Sequence, residues 1–314
     1  KLQSQQSLLH RPLHSPRNRG SYDVNLLPNR QPFSSKRSSM ISKTLYRIFK
    51  QGSKTYFYSS LFFPKKIKED VFRLYAFVRV ADDYVDTIPQ QTKQYKQFKK
   101  KYYSGLKSPN LTNNHVIDEF IKLQQKHNFK QEWIDGFFIA MDMDLNQHQY
   151  KTEKDIITYM YGSAEVVGLM MAKILELPQQ AYQYAQMLGR SMQYANFIRD
   201  VQEDLELGRV YFPQEDRKGY DLSTLEYDYV KQRPGHITCY LMTQFKRYKI
   251  WQKEAEKGFQ YIPKRLLIPI KTASDMYKWT VSQIEKDPLI IYQKKVKPSI
   301  PRIVLTIIKN SIIV

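Results

Sequence analysis

Apolar side chains recur at helical spacing along most of the chain after residue 39. Over residues 69–86, Val71, Leu74 and Val78 fall three or four positions apart, and no proline interrupts them before Pro89. This spacing is typical of an amphipathic helix. No strand-turn-strand pattern competes, so the sequence predicts an all-α protein. Further predicted helices cover residues 116–127, 131–147, 153–176, 179–207, 237–260, 264–285 and 300–312.

The composition is consistent with one helical globular domain. The chain has 314 residues, of which 42% are apolar and 25% charged, and its 11 glycines are few for a turn-rich β architecture. We assign residues 40–314 to the folded domain. Residues 1–39 are rich in Ser, Arg, Asn, Gln and Pro without a hydrophobic period, and we predict that they form a disordered basic tail or an extension.

The net charge of +20 is consistent with nucleic acid, an anionic membrane or a phosphorylated substrate as partner. About half of the excess lies at the ends: seven basic residues against one acid in residues 1–39, and five against none in residues 289–314. No stretch reaches the roughly 18 apolar residues of a membrane span. The single cysteine, Cys239, indicates a reducing compartment. We therefore predict a cytoplasmic protein, with peripheral membrane contact through its basic termini as an open alternative.

Two basic segments each allow two interpretations. Residues 93–101 carry five lysines with Tyr95 and Phe98 between them, an arrangement that can bind nucleic acid. We favour a solvated loop or helix end there, and expect no nucleic-acid partner. Residues 300–314 are amphipathic if helical, and we favour packing of this helix on the core over membrane contact.

Three aspartates stand at the end of the first predicted helix. Asp82 and Asp86 are four residues apart, which places their Cβ atoms roughly 5 to 6 Å apart on one helix face, with Asp83 beside them. Tyr75 and Arg79 extend the same face toward the start of the helix. The result is an oxygen-rich face next to a cation.

A second set of oxygen-bearing side chains has the same spacing. Asn196, Asp200 and Asp204 follow at intervals of four residues, and Gln193 stands one turn earlier. Neighbouring carboxylates on a helix repel each other unless a cation neutralises them. Mg²⁺ suits such a face, because it takes hard oxygen ligands and is usually held by one or two carboxylates together with substrate phosphates. Mn²⁺ accepts similar ligands.

Arginines flank both segments. Arg79 lies one turn before Asp82, Arg199 adjoins Asp200, and Arg209 follows the second segment closely. Guanidinium groups bind phosphate oxygens in a bidentate fashion. Either segment alone would be typical of a solvated charged face. Two of them on apolar helices favour a site for a metal and a diphosphate, because unpaired buried carboxylates cost several kcal/mol.

The two segments resemble the aspartate motifs of the phytoene and squalene synthases, which join two prenyl diphosphates head to head. Residues 75–86, YAFVRVADDYVD, resemble the first motif. Residues 196–204, NFIRDVQED, and residues 208–213, GRVYFP, resemble the second.

Two further blocks extend the resemblance to roughly residues 45–290. Residues 53–58, SKTYFY, resemble the N-terminal substrate-binding segment, and residues 159–168, YMYGSAEVVG, resemble the central helix that lines the hydrocarbon channel. One position departs from the pattern, since Gly52 stands where some relatives carry histidine.

The resemblance implies a single-domain isoprenoid synthase bundle with a central active-site cavity, with magnesium as cofactor and prenyl diphosphates as substrates. The metal ligands that it implies are Asp82, Asp86, Asn196, Asp200 and Asp204. The substrate-binding residues that it implies, together with the spacing above, are Ser53, Lys54, Thr55, Tyr75, Arg79, Tyr161, Gln193, Asn196, Arg199, Arg209 and Tyr211. The residues expected to be catalytic are Asp82, Asp86, Asp200, Asp204, Tyr75 and Arg79.

The resemblance also implies a dry channel for reactive cations. Aromatic and thioether groups stabilise cations without acting as nucleophiles, although ordinary core packing explains the same residues. Small residues near 162–168 leave room for prenyl chains or for a close helix crossing. The candidate wall residues are Phe57, Tyr58, Tyr159, Tyr161, Met170 and Met171.

The expected reaction joins two geranylgeranyl diphosphates into phytoene through a cyclopropylcarbinyl diphosphate. No Gly-rich nicotinamide fingerprint appears in the sequence, so NADPH is not expected. The alternatives are squalene or dehydrosqualene formation from farnesyl diphosphate, and a non-catalytic relative that binds membrane or nucleic acid. A head-to-tail chain elongator is disfavoured, because its second motif would repeat the DDxxD form.

Overall fold

The computed structural model describes residues 41–107 and 112–314, so the tail predicted for residues 1–39 lies outside the described residues. Within these ranges the chain is helical and no strand forms, which confirms the all-α prediction. The α-helices are α1 Lys43–Gly52, α2 Lys54–Ser60, α3 Lys65–Asp86, α4 Thr92–Lys107, α5 His115–His127, α6 Gln131–Asn146, α7 Glu153–Met160, α8 Val166–Ile174, α9 Tyr182–Arg199, α10 Val201–Glu206, α11 Gln214–Lys218, α12 Tyr227–Val230, α13 Pro234–Glu256, α14 Lys264–Lys286 and α15 Ile300–Ile313.

Helix α4 corrects the interpretation of the lysine-rich segment as a loop or helix end. It is a 16-residue helix that buries Tyr95, Phe98 and Tyr102. The Tyr95 hydroxyl donates to the Phe138 carbonyl oxygen at 3.0 Å. The aromatic residues therefore face the core rather than forming a surface for bases to stack on, and the lysines between them are the solvent side of an amphipathic helix.

Close helix crossings surround α9, the central helix. A Cβ atom added at Gly168 of α8 would lie 2.2 Å from the carbonyl oxygen of Ala185, and one added at Gly189 would lie 2.5 Å from that of Ala164. A π-helical turn, Tyr161–Glu165, joins α7 to α8 inside the segment predicted as one helix. There a Cβ atom at Gly162 would lie 2.2 Å from the carbonyl oxygen of Gly136 on α6. These small residues let the central backbones approach.

Helix α15 packs on the core, as favoured from its sequence. Ile303 and Ile307 are buried against side chains of α2 and α14, among them Tyr58 and Met276. The side-chain amide of Asn310 donates to Asp275 at 3.0 Å. Among the described residues, no helix combines the length and the apolar character needed to cross a bilayer.

Candidate active site

A cavity of about 610 Å³ runs between α2, α3, α8, α9 and α14. Its lining includes polar side chains from the end of α3, the end of α9 and the start of α2, and mostly apolar side chains elsewhere. The predicted site residues that line it are Ser53, Lys54, Thr55, Tyr75, Arg79, Asp82, Gln193, Asn196 and Arg199.

The other end of the cavity is apolar. Leu177, Tyr184 and Ile262 line it there. Tyr184 and Asn196 are twelve residues apart on α9, which corresponds to about 18 Å along the helix axis at 1.5 Å per residue. Of the six candidate wall residues, Met171 alone is among those that line the cavity.

The first aspartate segment opens to the cavity through Asp82. Its side chain keeps 36% of its surface accessible, and Arg79 lies between it and Asp83, at 3.8 Å from Asp82 and 2.5 Å from Asp83. Enclosure of the Asp82 carboxyl by protein, and then the charge of Asp86, raise its pKa to about 8. Arg79 is therefore shared between these two neighbouring carboxylates, and it lies closer to Asp83.

Arg209 joins the first segment to the second. Its guanidinium donates to Asp86 at 2.7 Å and to the Val85 carbonyl oxygen at 2.6 Å, and the side chain is 2% exposed. Its backbone N–H donates to the Asp204 carbonyl oxygen at 2.8 Å. Arg209 is thus engaged in holding the two segments together and is not among the cavity-lining residues, which argues against its predicted contact with substrate.

Asp144 of α6 supports this junction, and the sequence analysis missed it. The hydroxyls of Tyr211 and Tyr159 donate to its two carboxylate oxygens at 2.8 and 2.9 Å, while Arg209 lies 3.8 Å away. Burial raises the pKa of Asp144 to about 7, against the opposing charge of Arg209. Tyr211, predicted to contact diphosphate, is therefore occupied by Asp144. The sequence signal for Asp144 is its place among the apolar positions of the helix predicted over residues 131–147.

The second aspartate segment lies at a kink, not on the single helix predicted over residues 179–207. α9 ends at Arg199 and α10 begins at Val201, with Asp200 between them at φ −103° and ψ 13°. Helical spacing nevertheless survives. The backbone N–H of Asp200 donates to the carbonyl oxygen of Asn196, and that of Asp204 donates to the carbonyl oxygen of Asp200, both at 2.8 Å.

Two cations hold Asp200. Arg199 donates to its two carboxylate oxygens at 2.7 and 2.6 Å, and the Lys295 ammonium lies 2.9 Å away. Burial alone would raise the pKa of Asp200, but Arg199 and Lys295 outweigh burial and lower it. Arg199 thus forms an ion pair with a predicted metal ligand while also lining the cavity.

Asp204 and Asn196 present oxygens that suit a cation. Burial, and then the charges of Asp200 and Asp86, raise the pKa of Asp204 well above its usual range. Asn196 Oδ1 is buried without a hydrogen-bond partner, which is costly unless a ligand supplies one.

Among residues 41–107 and 112–314, no three His, Cys, Asp or Glu side chains could hold a metal by themselves. Magnesium bound here would need further ligands, as it does when it binds substrate phosphates.

A lysine from the C-terminal segment also reaches the cavity. Lys297 is among the residues that line it. Protein around the ammonium group, and then the charges of Lys295 and Arg199, lower the pKa of Lys297 to about 8. The sequence marked this segment only by its excess of basic residues, so neither Lys297 nor Lys295 was predicted as a site residue.

Tyr161 lies away from the cavity. It packs beside Gly136, where an added Cβ atom would come within 3.3 Å of its ring, and its pKa is raised by burial and by Glu132. Its position does not support the predicted substrate contact.

A family model described as squalene/phytoene synthase matches residues 49–303. The chain belongs to this family.

The 15-cis-phytoene synthase of a Paracoccus species is 26% identical over 262 residues, covering 79% of this chain and 84% of its own length. The 4,4'-diapophytoene synthase of Staphylococcus haemolyticus is 26% identical over 175 residues, covering 53% of this chain. The chloroplastic phytoene synthase of Daucus carota is 30% identical over 172 residues, covering 52%. The matches span only 60% of the staphylococcal protein and 42% of the carrot protein.

Solved structures agree on the fold. A dehydrosqualene synthase superposes with a TM-score of 0.74 at 22% identity, covering 86% of this chain and 95% of that one. The squalene synthase HpnC from Alicyclobacillus acidocaldarius gives 0.68 at 20% identity, covering 78% and 92%. The predicted isoprenoid-synthase fold is thereby confirmed.

Proposed function

We propose that this protein is a phytoene synthase that condenses two geranylgeranyl diphosphates head to head. One observation carries the proposal: a single cavity has the Asp82 carboxyl and several cations at one end and a largely apolar wall at the other. Such a cavity suits a ligand with an anionic head and a long hydrocarbon chain. The match to most of a phytoene synthase of similar length supports the same reaction.

The metal in this proposal is magnesium. Asp82, Asp86, Asn196, Asp200 and Asp204 would hold it, consistent with the raised pKa values of Asp82 and Asp204 and the unpartnered Asn196 oxygen. When bound, it supplies positive charge that stabilises the departing diphosphate.

The protein's own cations bind and orient the diphosphates. Arg79, Lys54 and Lys297 line the cavity and offer charge-assisted hydrogen bonds to phosphate oxygens. The Tyr75 hydroxyl stays protonated because burial raises its pKa, so it can donate to the same oxygens. Apolar residues such as Leu188 and Met171 exclude water from the chains.

The reaction proceeds in two ionisations. The first allylic C–O bond breaks with its electron pair leaving on diphosphate, the double bond of the second substrate attacks the cation, and loss of a proton closes a cyclopropane. The second C–O bond then breaks, the cation rearranges, and loss of another proton gives the hydrocarbon. The family relationship supports head-to-head prenyl condensation; the geranylgeranyl substrate is our finer proposal.

Product identification tests the choice of substrate. Purified protein is incubated with fifteen- or twenty-carbon prenyl diphosphate, each with and without NADPH, and hydrocarbons are identified by mass spectrometry. We expect phytoene from the twenty-carbon substrate without NADPH. Squalene or dehydrosqualene as the main product would instead favour the second candidate, which the similarity to a dehydrosqualene synthase supports.

We also propose that α15 contacts an anionic membrane surface peripherally. While Ile303 faces the core, Leu305, Ile308 and Ile312 remain 66%, 53% and 80% exposed, forming an apolar face that soluble helices seldom present. Residues 288–314 contain five basic residues and no acid, a charge that favours anionic lipid.

Vesicle sedimentation tests the membrane contact. Protein should sediment with phosphatidylglycerol vesicles more than with phosphatidylcholine vesicles, and Leu305→Glu with Ile308→Glu should abolish the difference. The control is Ile250→Glu, which alters an equally exposed isoleucine on α13. Unchanged binding of the double variant would refute the assignment to α15.

A further inference from the structure

Gly52, the last residue of α1, lies directly against the active-site face of α3. A Cβ atom added there would lie 2.4 Å from the Tyr75 hydroxyl oxygen and 3.1 Å from both Tyr75 Cε1 and Arg79 Cδ. Tyr75 and Arg79 both line the polar end of the cavity. The Tyr75 hydroxyl therefore occupies the space that a side chain at position 52 would fill.

Neither neighbour is free to move aside. The Tyr75 ring stacks on Phe49 of α1, with ring centroids 3.9 Å apart and planes at 16°, and Phe49 is buried in the core. Arg79 is held by its ion pair with Asp83 at 2.5 Å. An added methyl group would displace the phenol or push α1 outward.

The backbone at Gly52 does not itself require glycine. The residue is helical and its φ is not positive, so an alanine would fit the local conformation and even favour the helix. Any cost of a substitution must therefore come from the contacts with Tyr75 and Arg79. This separates side-chain crowding from the usual conformational reason for a glycine.

We propose that Gly52 is a positioning residue that sets where the Tyr75 hydroxyl and the Arg79 guanidinium meet the diphosphate. The proposal rests on the proposed function for the identity of the ligand. Misplacing these groups weakens stabilisation of the departing diphosphate, since catalysis depends on donors aimed at the developing charge.

A double-mutant cycle tests this coupling. Gly52→Ala, Tyr75→Phe and the double variant are compared with the parent, and Gly235→Ala is the control because a Cβ atom there meets nothing within 4 Å. Gly52→Ala should lower kcat/KM at least about tenfold, but by less than about threefold in the Tyr75→Phe background, where the closest atom is gone. Gly235→Ala should leave kcat/KM unchanged.

A binding measurement keeps the test independent of turnover. Titration calorimetry with geranylgeranyl thiodiphosphate and Mg²⁺ should show weaker binding for Gly52→Ala than for the parent, and a smaller difference when Tyr75 is phenylalanine. Near-parental kcat/KM for Gly52→Ala, or equal losses in both backgrounds, would overturn the proposal. A parent protein that binds the analogue but yields no hydrocarbon would refute the proposed function and leave the Gly52 comparison intact.

Discussion

The two aspartate segments have similar compositions, but the first aspartate of each has opposite electrostatics. In the first, on the unbroken α3, Asp82 faces the cavity and its pKa is raised to about 8. In the second, at the kink between α9 and α10, Asp200 is paired with Arg199 and Lys295 and its pKa is lowered. Asp82 is therefore the acid left for a cation from outside the protein, whereas Asp200, like Asp86 with Arg209, is already paired within it. Aspartate spacing alone does not show this difference; the neighbouring cations create it.

The largest effect should follow from changing the open segment. Asp82→Asn removes a carboxylate that no other cavity-lining acid replaces among the described residues, so turnover should fall by a factor on the order of 10² or more. Asp228→Asn, at an 87% exposed side chain, is the matched surface control. Helical circular dichroism should be intact in both variants. Near-parental turnover of Asp82→Asn would remove the reason for calling this segment open.

A smaller effect is expected at the junction between the segments. Asp144→Asn should weaken the anchoring of Tyr211 and of Arg209, which pairs with Asp86, and so raise the magnesium concentration for half-maximal activity about tenfold, as outer-shell changes commonly do. Asp142 lies two residues away on α6 and pairs with Lys99. Asp142→Asn should leave the magnesium concentration for half-maximal activity unchanged. Equal magnesium curves for both variants would show that Asp144 is only structural.

The second segment should tolerate loss of one of the two cations that hold Asp200. Lys295→Met leaves the bidentate Arg199 pair with Asp200 in place, so Asp200 stays paired and we expect kcat/KM to fall only about threefold. Lys294→Met, at the exposed neighbouring position, is the control. A loss as large as that of Asp82→Asn would contradict the proposed asymmetry.

The smallest effect concerns pH. Lys297 has a pKa lowered to about 8, so its positive charge is present below pH 8 and is lost as the pH rises through that value. KM for the prenyl diphosphate should therefore rise between about pH 7.5 and 9. Lys297→Arg keeps its charge and should flatten this rise, while Lys294→Arg should not. An identical rise in all three proteins would exclude Lys297 as its source.

The sequence predicted which side chains lie together where those side chains share one helix. Tyr75, Arg79 and Asp82 share one face of α3, and helical spacing alone places them together on the cavity wall. Local spacing does not predict partners that come from distant helices. The chemistry of guanidinium predicts a phosphate contact for Arg209, whereas the structure pairs it with Asp86 and places it beside Asp144.

The fold was predictable to a similar degree. Long helices such as α3, α6 and α14 follow from apolar periodicity alone. α4 was missed because its many lysines masked three buried aromatic residues, and the kink at Asp200 was missed because its residues keep helical hydrogen-bond spacing. Neither feature changes the local pattern enough to be detected without the packing around it.

Metal-dependent turnover tests the central claim, that the first segment needs a cation delivered with the substrate. Protein freed of metal by chelator is given geranylgeranyl diphosphate, and hydrocarbon is quantified by mass spectrometry as Mg²⁺ is added. We predict no forty-carbon hydrocarbon until free Mg²⁺ is present, and a saturable rise thereafter. Full turnover in excess chelator would contradict the account.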